Sequence, residues 1–456
     1  MKLIRGARVD MTSMAFRNTS LKIFCWAALC LLVASASPAR ADATLLLEEP
    51  YGRFGFFTAT GHAAVYLSRV CAESPTVLRP CREGETGVVL SRYNRLAGYD
   101  WVAVPLIPYL YGVEEADAVP LFANPKIVAF LRNQYRKSHF TSIAPDDGNG
   151  EPPEGNWTQL VGAAYDRTIY GFSIETSEAQ DELFIRRYNS RPNVSHFDLV
   201  TNNCADFAAG VINFYYPKTL HRNLVADAGI TTPKQIAKLL AHFSARHPEL
   251  QSASFVIPQV PGTLSRSTPV HGVIESVLKS KKYVLPVAVL HPVIAGILAA
   301  AYLGDGRFDP ARNTMILEPG SKFELPLPST ERRNYQNELH LLMADGRKHR
   351  NWDLDGAAEP QFDPEGRPVL RVRVGEQFVD VGISRENILT TPAPANLTEG
   401  LLMARLAVEL RRSEAPRASG NDVISDWQLL HELMPPKKSL MVDLRSPADD
   451  AGSGRP

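Results

Sequence analysis

The stretch IFCWAALCLLVASA (Ile23–Ala36) constrains this chain more than any other. Arg5, Arg8, Arg17 and Lys22 precede it, and ARA (Ala39–Ala41) follows with small residues where a peptidase would cut. A basic region, a short apolar run and small residues, in that order, make a secretory signal peptide. Residues 1–41 are therefore expected to serve targeting and to leave the fold, with Asp42 the first residue of the exported chain. Met11 and Met14 are alternative starts, and an uncleaved membrane anchor is the alternative use of the run. The destination is the periplasm or cell envelope. No cysteine follows the run closely, so a lipoprotein anchor is not expected.

Export sets the meaning of the cysteines. Cys25 and Cys30 go with the signal, which leaves Cys71, Cys81 and Cys204. An oxidising compartment favours pairing. Cys71 and Cys81 bracket the proline-containing loop CAESPTVLRPC and are expected to close a small disulfide ring. Cys204 is then odd: a reactive thiol, an intermolecular link, or an inert buried side chain.

Charge removes one class of function. The chain has 456 residues, with 49 Lys+Arg against 49 Asp+Glu. A net charge of zero with no basic run argues against a nucleic-acid partner. The length allows two or three domains with a substantial core.

Residues 42–250 read as one mixed domain. Gly61–Cys71, Thr86–Asn94 and Asp100–Ile107 have strand composition, and Pro105 points to an edge. Asn124–Lys137 reads as a helix, with Asn124 as cap, Pro125 at the first turn and Ile127, Phe130 and Leu131 on one face. Ser177–Arg191 and Thr231–Arg246 are further helices. In Ala205–Phe214, Phe207, Ala208, Val211, Ile212 and Phe214 recur at helical spacing, with Asn202 or Asn203 to cap them. WVAVPLIPYLYGV (Trp101–Val113) suits either a core strand or an acyl-binding wall.

Beyond position 250 the pattern changes. Residues 251–309 read as a linker plus an apolar helical segment. Within it, residues 283–303 are long enough to span a bilayer but are interrupted by Pro286, His291 and Pro292. A buried or membrane-surface helix is expected there in preference to a span. Residues 310–442 read as a smaller α/β region, with AAEPQFDPEGRP as loop, Pro368–Ile383 as a hairpin turning at Gly375–Glu376, and Leu397–Arg412 as a helix. Residues 443–456 read as a disordered tail.

Cys204 stands at a helix start, where the helix dipole favours thiolate. A cysteine nucleophile also needs a base on a rigid element. Of the eleven histidines, His62 stands out because it opens a strand directly after Gly61. GHAAVYL (Gly61–Leu67) resembles the histidine strand of NlpC-type papain-like cysteine hydrolases, and NNCADFAAGV (Asn202–Val211) resembles their cysteine helix. Here the histidine comes first. That order resembles the circularly permuted branch, which includes the lecithin retinol acyltransferase-like proteins, over residues 50–220 at most.

The resemblance implies an α+β fold: a permuted papain-like domain with an antiparallel sheet packed on a cysteine-bearing helix. It implies a thiol hydrolase or acyltransferase, with Cys204 as nucleophile, His62 as base and a polar residue on the neighbouring strand. A hairpin joining the strands across the disulfide loop, with Val70 opposite Gly87, puts His62 opposite about residue 95. Tyr93, Asn94 and Arg95 are then the candidates, and Asn94 is the choice as the residue that orients His62. No cofactor or metal is expected. The expected partner is a peptidoglycan peptide, an acylated lipid or a lipoprotein, with membrane association through 283–303. The alternative is a non-catalytic envelope-binding or membrane-tethered structural protein of the same fold.

Overall fold

The computed structural model describes residues 41–52, 59–121, 123–147, 149, 151–260, 264–312, 314–316, 358–374 and 377–384. Residues 1–40 of the segment expected to be a signal peptide, the turn at Gly375–Glu376, the helix expected at Leu397–Arg412 and the tail expected at 443–456 lie outside these residues, whereas Ala41, expected to leave with the signal, opens a strand. The described protein is α+β.

Twelve strands are described: β1 (Ala41–Glu48), β2 (His62–Leu67), β3 (Val70–Ser74), β4 (Val77–Pro80), β5 (Val88–Ser91), β6 (Val102–Pro105), β7 (Ile169–Thr176), β8 (Ala253–Ile257), β9 (Met315–Ile316), β10 (Ala358–Phe362), β11 (Pro368–Val374) and β12 (Gln377–Gly382). The helices are α1 (Leu106–Tyr111), α2 (Pro125–His139), α3 (Ala163–Asp166), α4 (Glu178–Asn189), α5 (Cys204–Tyr215), α6 (Pro233–Arg246), α7 (Val273–Lys279), α8 (Lys281–Leu290) and α9 (Pro292–Ala301).

A seven-stranded sheet in the order β6-β5-β2-β1-β7-β8-β9 forms the centre. Its pairings β1–β2, β2–β5, β5–β6 and β7–β8 are antiparallel, and β8–β9 is parallel. Helices cover both faces, and the strands show it. Leu46, Ala64, Val89 and Val104 face a core shared with α1, α2 and α3. Leu45, Leu47, Ala63, Val65 and Leu90 face a second core shared with α4, α5 and α6. Successive side chains alternate between faces, so a strand covered on both sides becomes an unbroken apolar run. That is the physics of LLL in β1. Pro105 ends β6, the edge strand, where a missing N–H costs no ladder bond.

Sequence reading and structure part at several elements. Gly61–Cys71 is two strands, broken at Ser68–Arg69, because β3 and β4 form their own hairpin. The Cys71–Cys81 disulfide closes that hairpin. The apolar stretch after β6 turns into α1, whose Tyr109, Leu110 and Tyr111 are buried in the first core. β8 and β9 join the central sheet, so the sheet takes one strand from the stretch read as linker and one from the region read as a separate C-terminal part. Part of AAEPQFDPEGRP is strand, not loop: β10 pairs with β11, and Pro360 is tolerated because β10 is an edge. The small β10-β11-β12 sheet packs on the domain, with Phe362 against Phe130 at 5.1 Å between ring centroids and Leu370 and Ile383 in the first core.

The 283–303 run is not buried. It folds as α8 and α9, broken at His291, and neither helix has a buried residue. No helix of the described residues is long and apolar enough to cross a membrane.

Candidate functional site

Cys204 is the first residue of α5. Asn203 caps the helix: its side chain accepts from the amides of Ala205 at 2.8 Å and Asp206 at 3.1 Å. Asp206 in turn accepts from the Asn203 amide, completing a capping box. The Asn203 side chain also donates to the carbonyls of Leu199 and Thr231. From β5's end, Arg92 donates to the Asn202 side chain at 2.6 Å and to Asp100. One arginine thus fixes the approach to Cys204 against the sheet. Sequence reading missed it, because Arg92 and Asn202 are far apart along the chain.

His62 opens β2. Gly61 before it has φ +74°, and a Cβ there would lie 2.1 Å from the Glu48 carbonyl oxygen. Backbone approach thus explains the glycine. In the sheet Glu48 stands opposite His62. On the other side Ala64 pairs with Ser91, so two steps further His62 stands opposite Tyr93, not residue 95. The strand register is tighter than expected because Gly87, at φ +79°, lets β5 begin directly against Leu67 and Ser68; a Cβ there would lie 2.2 Å from the Leu67 carbonyl oxygen.

The His62 ring stacks on Tyr93, with centroids 4.0 Å apart and planes 7° apart. Its Nε2 shares a 2.9 Å hydrogen bond with Ser91 Oγ. Ser91 was not among the candidates; its position two residues before Tyr93, on the same face, was the signal that could have found it. Asn94 lines the same cavity as His62, is exposed, and its carbonyl accepts from Asn156 at 2.8 Å.

A cavity of about 360 Å³ joins these pieces. Cys204, His62, Tyr93, Asn94, Arg167 and Asn203 all line it. Among the described residues no hydrogen bond joins Cys204 to His62. Catalytic hydrogen bonds are often long in an empty site and tighten on substrate. A larger cavity, of about 890 Å³, lies by Tyr170, Lys234, His242 and Arg307 and holds neither Cys204 nor His62.

Behind His62 is a buried polar network. Glu48, fully buried, accepts from Arg167 at 3.0 Å and from the Tyr109 hydroxyl. Arg167 also donates to Gln159 at 2.7 Å and lies over the Tyr51 ring. Burial pushes the Glu48 carboxyl up, against the pull of Arg167.

Burial also sets the two central groups. It pushes the Cys204 thiol up to about 11, although the amides of Ala63 and Ala205 pull the other way. It holds His62 well below the usual histidine range, helped by the Arg167 charge. The expected thiolate at a helix start is therefore corrected: desolvation outweighs the helix dipole, and the resting pair is neutral thiol with neutral imidazole. Among the described residues one group has metal-ligand proximity, Cys71, Cys81 and Glu85, and its sulfurs are joined in the disulfide.

No family model, no curated protein and no solved structure matches this chain.

Proposed function

We propose that this protein is a thiol hydrolase or acyltransferase acting on an amide or ester in a cell-envelope substrate, on a permuted papain-like fold. The observation that carries the reading is the shared cavity. A cysteine at the first residue of a capped helix and a histidine at the first residue of a central strand line one space large enough for an acyl group.

In this mechanism Nε2–H of His62 donates to Ser91 Oγ, which leaves the Nδ1 lone pair to take the thiol proton. Cys204 Sγ forms a bond to the substrate carbonyl carbon as that proton moves. The Cys204 amide, at the positive end of α5, donates to the developing oxyanion. When the tetrahedral species collapses, the carbon–leaving-group bond breaks and His62 returns the proton to the departing amine or alcohol. Water or an acceptor amine or alcohol then attacks the thioester and frees the thiol. Tyr93 fixes the imidazole plane by stacking, and Asn94, at the cavity wall, meets substrate. Proton transfer concerted with attack suits a neutral pair better than a preformed ion pair does.

The raised thiol favours a second reading, a non-catalytic envelope-binding module. One experiment separates the two. Cys204→Ser protein is incubated with envelope extract and analysed by mass spectrometry for an acyl ester on residue 204, beside hydroxylamine-sensitive acyl adducts on the unaltered protein. An adduct at position 204 supports the enzyme. Its absence from both proteins sinks the catalytic reading.

A further inference from the structure

The helical pair α8–α9 has no place in the chemistry above. No Asp, Glu, Lys or Arg occurs from Tyr283 to Gly304. Ordinary surface helices hide an apolar stripe and show a polar face. Here Leu285, Leu290, Val293 and Ile297 are 59%, 70%, 74% and 62% exposed. Val289 and Ile294 are exposed beside them, and no residue of either helix is buried, so the exposed surface is not confined to one stripe. A protein partner covers one face, whereas a surrounding apolar medium covers several.

The ends of the run are held together. Lys279, at the end of α7, pairs with Glu275 at 2.7 Å. Tyr302, directly after α9, donates to the same carboxylate at 3.2 Å. Just beyond, Asp305 pairs with Lys238 of α6. The run leaves the body and returns to it at one point, so it cannot place its ends on opposite sides of a bilayer. Each ten-residue helix is about 15 Å long, half the roughly 30 Å hydrocarbon thickness. Its base carries Lys279, Lys281 and Lys282, with Tyr283 and Tyr302 at the two ends. Cations meet anionic headgroups and tyrosines prefer the interface.

We infer that α8–α9 is a monotopic anchor that seats this protein in one leaflet of an anionic bilayer. The inference stands apart from the catalytic reading, yet the two meet at α7. Val273 and Ser276 of α7 line the Cys204 cavity, and its last residue launches the anchor. Seating would thus bring the cavity to the lipid surface.

The test uses the full chain with vesicles of phosphatidylglycerol and phosphatidylcholine, beside the variant Leu285→Glu/Leu290→Glu/Ile297→Glu. Sedimentation should show at least a tenfold weaker apparent affinity for the variant, and weaker binding of the unaltered chain to pure phosphatidylcholine. Hydrogen exchange should show vesicle-induced protection across residues 283–301. Circular dichroism checks that the variant keeps its fold. Equal binding by both chains overturns the inference, as does sedimentation without protection at 283–301. A lipid-free dimer that the variant abolishes, with no vesicle binding, assigns the surface to a second copy and overturns it too.

Discussion

The cavity wall and the α8–α9 pair are opposites within one chain. Around His62 and Cys204 several polar side chains are buried and held by named partners: Glu48 by Arg167 and Tyr109, His62 by Ser91 and Tyr93, Asn203 by two amides. In α8–α9 apolar side chains stand exposed with no core beneath them. The first region spends folding energy to keep polar groups out of water, and the second leaves apolar groups in it. Each departs from the usual division of inside and outside, and such departures mark function more often than the well-behaved core does.

The contrast breaks most visibly at Cys204. Cys204→Ala should lower turnover on the order of 10³-fold or more, because the nucleophile acts as a unit with its base. The α8–α9 glutamate variant should leave turnover of a water-soluble ester unchanged. Steady-state kinetics on both proteins decide this; a Cys204→Ala protein with full activity would dissolve the distinction.

Stability provides the next contrast. Arg167→Met leaves Glu48 charged and buried without its counter-ion, a change that costs about 3–5 kcal/mol. Leu290→Ser, on the exposed pair, should stay within about 0.5 kcal/mol. Urea denaturation of the two variants checks the difference, and similar midpoints would show that Glu48 and Arg167 are not the buried ion pair described here.

The finest contrast is in pH. His62 has its folded pKa held below the unfolded value, so the folded protein binds fewer protons there. The contribution of His62 to stability is full above about pH 6.5 and is lost as pH falls below that. Activity should follow with an acid limb below 6.5, and the basic limb should approach the thiol near about 11. Ser91→Ala removes an acceptor that favours the protonated ring, so it should shift the acid limb lower still and cost about tenfold in kcat. A pH–rate profile on both proteins checks this; an acid limb above pH 7 would mean that His62 is not the titrating base.

The parts legible in the sequence were those with local causes. Asn124 with Pro125, Ser177 with Gln180, and Asn203 with Asp206 all cap the helices they precede. Cys71 and Cys81 pair across a hairpin that spaced them correctly. What stayed hidden depended on pairs far apart along the chain. Glu48 and Arg167 become one buried pair only when β1 enters the sheet, and no local pattern joins them. Ser91 was missed by a two-residue error in strand register, which moved the candidates down the chain without moving them off the face. The thiol's protonation was misread because the helix dipole is visible in sequence while desolvation is not.

The central position of β1 also has a consequence in time. It lies between β2 and β7, so half of its ladder waits for Ile169–Thr176 to be made. β2 can close on it early, but the other edge stays open while the intervening helices emerge. Non-local pairing of this kind folds slowly. The sheet therefore cannot complete until most of the domain has been made.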